Sequence, residues 1–166
     1  MIPEPQRTYL LELLKALGPG AGDFVVAGAQ AMKFVLEKAR ATKDIEFVLD
    51  VVGLRAEKVC IAARLQELGY KVVEGSRNFQ FEKPIPNSTE SMRIEFMAPE
   101  EFKREKDFRV DVENGIHARA LTGGSIAVAE SSIHELSGNL PDGSLFKSPI
   151  RVTKSHAPPL RIAPSG

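Results

Sequence analysis

The stretch that most restricts the fold lies between residues 24 and 50. An apolar run, residues 24–27, meets Gly28, and beyond it Ala31, Met32, Val35, Leu36 and Ala39 recur at three- and four-residue steps. That is the pattern of a strand, a tight turn and an amphipathic helix. After Arg40 and Thr42 a second apolar run begins, in which Asp44 and Glu46 alternate with Ile45, Phe47 and Val48. Residues two apart on a strand project from one face, so Asp44 and Glu46 form a carboxylate pair beside the turn that opens the helix.

Two like charges ~4 Å apart repel by roughly 4 kcal/mol at an effective dielectric of ~20, so the pair calls for a positive partner. A divalent cation meets that need with hard oxygen ligands, and Mg²⁺ takes one or two carboxylates together with substrate phosphates. The helix start nearby offers free backbone N–H groups and the positive end of a macrodipole, which suit phosphate oxygens. Cation on one side and phosphate cradle on the other point to phosphoryl or nucleotidyl transfer.

The remaining chain reads as scaffold. Residues 4–17 place Tyr9, Leu10, Leu13, Leu14 and Leu17 on one helical face, with Pro5 in the first turn and Gly18-Pro19 past the last. Residues 18–22 read as a connection. Gly53 is expected to break the chain before a helix over 55–68, with Val59, Cys60, Ala63 and also Ala62 inward and Gly69 as its cap. A short strand is expected over 70–74. Over 77–97 the alternation predicts two strands, with Phe79 and Phe81 on one face and a loop holding Pro84, Pro86 and Asn87 between them. If the second of these lies beside the strand of Asp44 and Glu46, Glu95 can face the same cation; Glu82 and Glu90 are the competing carboxylates. The charged run 99–107 reads as a solvated face. Strands are expected over 108–112, 125–128 and 145–152, the last after a turn at 140–143. Gly123-Gly124-Ser125 copies a phosphate-binding turn superficially and is set aside, because no helical pattern and no Asp-x-Asp/Glu strand follow it. From residue 154 a proline-rich tail without periodicity is expected, after a single domain over 1–153.

Lysine plus arginine and aspartate plus glutamate both number 22, so the chain lacks the strongly basic balance of a typical nucleic-acid binder. Cys60 is the only cysteine, which rules out a disulfide within the chain and reads as a small buried hydrophobe in a reducing compartment. No leader-like start and no apolar run of roughly 20 residues is visible, so a cytoplasmic protein without membrane association is expected. His117, His134 and His156 have no zinc-like spacing.

Residues 22–97 resemble the nucleotidyltransferase fold superfamily, specifically the AbiEii-like toxin nucleotidyltransferases. The signature of that family is a Gly-Gly or Gly-Ser turn, a helix, an Arg-x-Ser/Thr-x-Asp-hydrophobic-Asp/Glu segment, and a later third carboxylate. Gly28-Ala29 stands at the turn, Arg40, Thr42, Asp44 and Glu46 form the second element, and Glu95, between Ile94 and Phe96, takes the third place. The resemblance implies an α+β fold, a mixed β-sheet flanked by helices. It also implies Mg²⁺ or Mn²⁺ on Asp44, Glu46 and Glu95, nucleotide binding by Gly28, Ala29, Arg40 and Thr42, and an NTP substrate. The acceptor would be RNA, a protein or a small molecule, and an antitoxin protein would be a partner. The alternative is a catalytically degenerate module that binds nucleotide or a protein partner. Ala29 in place of Gly or Ser, Glu46 in place of Asp, and the absence of the helical C-terminal region expected of such relatives motivate it.

Overall fold

The period of apolar residues near the start produces the first helix, α1 (Gln6–Leu17), and buries Tyr9, Leu10, Leu13, Leu14 and Leu17 as expected. Gly18, at φ 58°, ends it with its N–H on the Leu14 carbonyl, a conformation that glycine adopts without a Cβ penalty. The expected connection is a 3₁₀ helix, Gly18–Asp23. It leads into β1 (Phe24–Ala27), which pairs antiparallel with β2 (Asp44–Leu49). This computed structural model describes residues 2, 4–27, 44–57, 59–103, 108–153 and 161–162. Gly28, Ala29, Arg40, Thr42 and the helix expected between the two strands lie outside the described residues.

After β2 come α2 (Val51–Glu57), α3 (Ile61–Glu67), β3 (Lys71–Val72), β4 (Gln80–Pro84) and β5 (Ser91–Pro99). A 3₁₀ turn, Glu100–Phe102, precedes β6 (Arg109–Glu113), β7 (Ile116–Thr122), α4 (Gly124–Ala129), β8 (Ser131–Asn139), β9 (Leu145–Thr153) and β10 (Arg161–Ile162). The strands form one sheet in the order β10-β7-β5-β2-β1-β9-β8, with β4 also on β5, β3 on β4 and β6 on β7. Parallel pairs (β2 with β5, β5 with β7, β1 with β9) mix with antiparallel ones, so the fold is α+β with a mixed sheet, as expected.

Alternation along the strands divides the sheet into two unlike faces. Ile45, Phe47 and Leu49 of β2 join Ile94, Phe96 and Ala98 of β5 and the apolar faces of α1 and α3 in the main core. Phe24, Phe47 and Phe96 meet there with ring centroids 5.6 to 6.2 Å apart. Each is fully buried, worth about 2–3 kcal/mol per side chain relative to exposure. On the opposite face Val25, Ala27, Val48, Met97 and Leu121 pack with Ala127 of α4 in a smaller cluster.

Several expectations are corrected. The single helix over 55–68 is two helices, and Gly53 lies inside the first rather than breaking the chain. Asp50 opens α2, its carbonyl accepting from the Leu54 N–H at 3.0 Å, and a Cβ at residue 53 would collide with the Asp23 carboxylate. Cys60 and Ala63 are exposed, because Ile61 and Leu65, four apart, set the buried stripe of α3. The Glu113 carboxylate accepts the Ile61 and Ala62 N–H groups at 2.6 and 3.2 Å and so starts that helix at residue 61. Gly69, at φ 92°, ends it as expected. The strand over 70–74 shrinks to Lys71–Val72. Phe81 joins the core, whereas Phe79 packs on Phe108 and His117.

Residues 125–128 are helical, not a strand, and a helix does follow Gly123-Gly124-Ser125. A short apolar run does not distinguish the two by period. Here Gly123 turns the chain at φ 84° and Gly124 sits so near Pro99 that a Cβ would come 2.9 Å from its Cα. Strands β7 and β8 were not expected. Arg161–Ile162, placed in the tail by its composition, pairs with Thr122 and Leu121 at the sheet margin. Among the described residues no helix is long and apolar enough to cross a membrane.

Candidate functional site

The strand carrying Glu95 does lie beside the strand carrying Asp44 and Glu46. The two run parallel, and the register sets Glu46 opposite Glu95, with Ile45 and Phe47 opposite Ile94 and Phe96. Adjacent strands lie ~4.8 Å apart, so both glutamates leave the same face at the same level. Asp44, defined by its backbone position, stands two residues earlier opposite Arg93, a register position on that face. Ala27, the residue before the expected glycine turn, is opposite Glu46 on the other side. One row therefore runs Ala27, Glu46, Glu95, Gln80 across β1, β2, β5 and β4.

This row is positioned by the core beneath it. Phe47 and Phe96, each one residue past a glutamate, are buried on the opposite face and fix the phase of both strands. A slip of one residue would bury the glutamates and expose the phenylalanines.

Glu95 is mostly covered, at 16% side-chain exposure, and its Oε1 lies 3.9 Å from Nε of Arg119 on β7. The Arg119 guanidinium lies over the Phe79 ring, 5.6 Å from its centre. Arg109 of β6 is opposite Arg119, and its Nε lies 3.4 Å from Asp111. Asp111 in turn lies 3.6 Å from Nε2 of His117, whose Nδ1 is 2.9 Å from the Arg77 carbonyl. Of the competing carboxylates, Glu82 is engaged by Arg93 at 3.0 Å and Glu90 sits in the exposed loop before β5.

Half-buried oxygen donors side by side suit a hard cation such as Mg²⁺ or Mn²⁺ rather than a soft metal. Among the described residues no three His, Cys, Asp or Glu side chains converge as a metal-binding group. The described carboxylates of the expected triad are thus a pair, Glu46 and Glu95, and for Asp44 only the backbone register is described. Arg119 and its Phe79 support were absent from the expected set. The signal was present in Ile116, His117, Ala118, Arg119 and Ala120, where polar and apolar residues alternate with the period of a strand.

No family model, curated protein or solved structure matches this chain.

Proposed function

We propose that the chain is a metal-dependent nucleotidyltransferase that moves a nucleoside monophosphate from an NTP to an acceptor hydroxyl on RNA, a protein or a small molecule. The observation that carries this reading is the register of Glu46 against Glu95 on adjacent parallel strands, with Asp44 two residues before Glu46. Glu46 and Glu95 would supply oxygens from two strands and Asp44 a further one, the hard donor set that Mg²⁺ or Mn²⁺ requires. Once bound, that cation would favour ionisation of the attacking hydroxyl and neutralise charge on the pyrophosphate leaving group. Glu95, at the margin of the pair, would orient the acceptor hydroxyl and accept its proton. Backbone N–H groups at Gly28 and Ala29 would take phosphate oxygens, with Arg40 and Thr42 on phosphate or ribose. The exposed free thiol of Cys60 suits a reducing cytoplasm. In a toxin role, an antitoxin protein would be the natural partner.

Titration of ATP, CTP, GTP and UTP with Mg²⁺ or Mn²⁺ tests the proposal. Wild type is expected to bind at least one nucleotide in a metal-dependent manner, and Asp44→Ala to lose that binding. Wild type that binds none of the four refutes it.

A second reading is favoured by the Arg119 contact, which already neutralises part of the charge on Glu95. In it the chain is a catalytically degenerate module that binds nucleotide or a protein partner. Labelled nucleotide incubated with total RNA and protein separates the two: metal-dependent binding without label on either acceptor supports the module.

A further inference from the structure

We propose that Arg119 is a phosphate-binding residue, an internal cation that balances the charge of Glu95 before metal enters and turns to the phosphates of the substrate afterwards. The inference rests on the nucleotidyltransferase reading of the same carboxylate pair.

Three observations converge on this residue. First, β7 runs parallel to β5 with Arg119 opposite Met97, two residues beyond Glu95, so the side chain reaches diagonally to Oε1 at 3.9 Å. That distance is an electrostatic contact, longer than a hydrogen bond and readily exchanged. Second, the guanidinium rests on Phe79, itself buried and packed edge-on against Phe108, so the plane of the group is supported while its charge is loosely held. Third, the neighbouring cation is committed elsewhere: Arg109 is engaged with Asp111, which also faces His117. Arg119 keeps 31% side-chain exposure, and its buried Nε has no hydrogen-bond partner among the described residues, so donor capacity is left for an incoming anion. A planar guanidinium matches two phosphate oxygens, which an ammonium does not.

The two halves of the role have opposite signs. A cation that shares Glu95 competes with bare metal, whereas a cation that meets phosphate strengthens binding of a metal-bound polyphosphate. Simple structural support would not produce that reversal.

The experiment measures calorimetric affinities of the full chain for Mn²⁺ alone and for inorganic triphosphate at saturating Mn²⁺, in wild type, Arg119→Met, Arg119→Lys and Glu95→Gln. Arg119→Met is expected to bind bare Mn²⁺ roughly fivefold more tightly and triphosphate roughly fivefold more weakly, the scale of one partly exposed ion pair. Arg119→Lys, which keeps the charge, is expected to stay within about twofold of wild type for bare Mn²⁺. Affinities that move in the same direction in Arg119→Met, or do not move, overturn the role of Arg119 alone, provided that Glu95→Gln weakens Mn²⁺ binding. If Glu95→Gln leaves Mn²⁺ affinity unchanged, the metal reading beneath it falls as well.

Discussion

Replacing Glu12 by Gln isolates the energetics of a buried charge that ties α1 to the sheet. Lys83 of β4 is 8% exposed, its ammonium donating to a Glu12 carboxylate oxygen and, at 3.1 Å, to the Leu68 carbonyl at the end of α3. It also lies over the rings of Tyr9 and Tyr70, at 4.7 and 5.0 Å from their centres. Removing one partner of a buried pair costs about 3–5 kcal/mol, because an uncompensated charge stays behind. The Glu12 side chain keeps 19% exposure, so water shares the load, and about 2 kcal/mol is the expected loss. With a urea slope of about 2 kcal/mol/M for a domain of this size, the midpoint of unfolding falls by about 1 M. Adding Lys83→Met removes the stranded charge and fills the aromatic box with a side chain of similar length. The double variant is therefore expected to recover at least about 1 kcal/mol over Glu12→Gln alone, as apolar replacements of buried pairs do. Urea unfolding followed by circular dichroism reads both values. A double variant no more stable than Glu12→Gln would refute the account, since the loss would then not lie in an unpaired ammonium.

Tyr70 has a buried hydroxyl without a hydrogen-bond partner among the described residues, so Tyr70→Phe should stabilise the protein by about 1 kcal/mol at neutral pH. Burial first, then the charges of Glu12 and Tyr9, push its pKa above the ordinary value of 10.0. The unfolded chain therefore ionises this tyrosine at a pH where the folded one keeps its proton. This group therefore leaves stability unaffected by pH below its unfolded pKa and lowers it as pH rises through the window above. Thermal melts between about pH 9 and 11 should show a shallower decline for Tyr70→Phe than for wild type, and parallel declines would contradict the assignment. Glu113→Ala removes the carboxylate that accepts the first N–H groups of α3. A loss of about 1–2 kcal/mol is expected, with faster hydrogen exchange at Ile61 and Ala62, and unchanged exchange there would sink the capping role.

How much of this was legible in the chain follows from how far apart the cooperating residues are. Local periodicity identified α1, β1, β2 and β5, and the turn before β9, because each element is specified by apolar spacing within its own few residues. Alternation around Glu95 puts it on a strand able to neighbour that of Glu46, and the observed register sets the two side by side. The site roles of Gly28, Ala29, Arg40 and Thr42 rest on the family resemblance alone. The split of the helix over 55–68 was not legible, since the start of α3 depends on Glu113 reaching Ile61 and Ala62 from another strand. Residues 125–128 read as a strand by sequence but form a helix, because four apolar or small residues suit either state until Pro99 and Gly124 meet.

The amino-acid sequence determined which residues face inward along α1, β2 and β5, and its alternation puts positions 44 and 46 on one side of β2. Tertiary structure alone decided what stands next to them. The parallel pairings of β5 with β2 and of β7 with β5 bring Glu95 and then Arg119 to the same patch from positions far along the chain. Phe79 beneath Arg119 is a contact of the same kind. Side-chain alternation is a property of one strand, but charge balance at a site is a sum over several, and the order of strands in the sheet sets that sum.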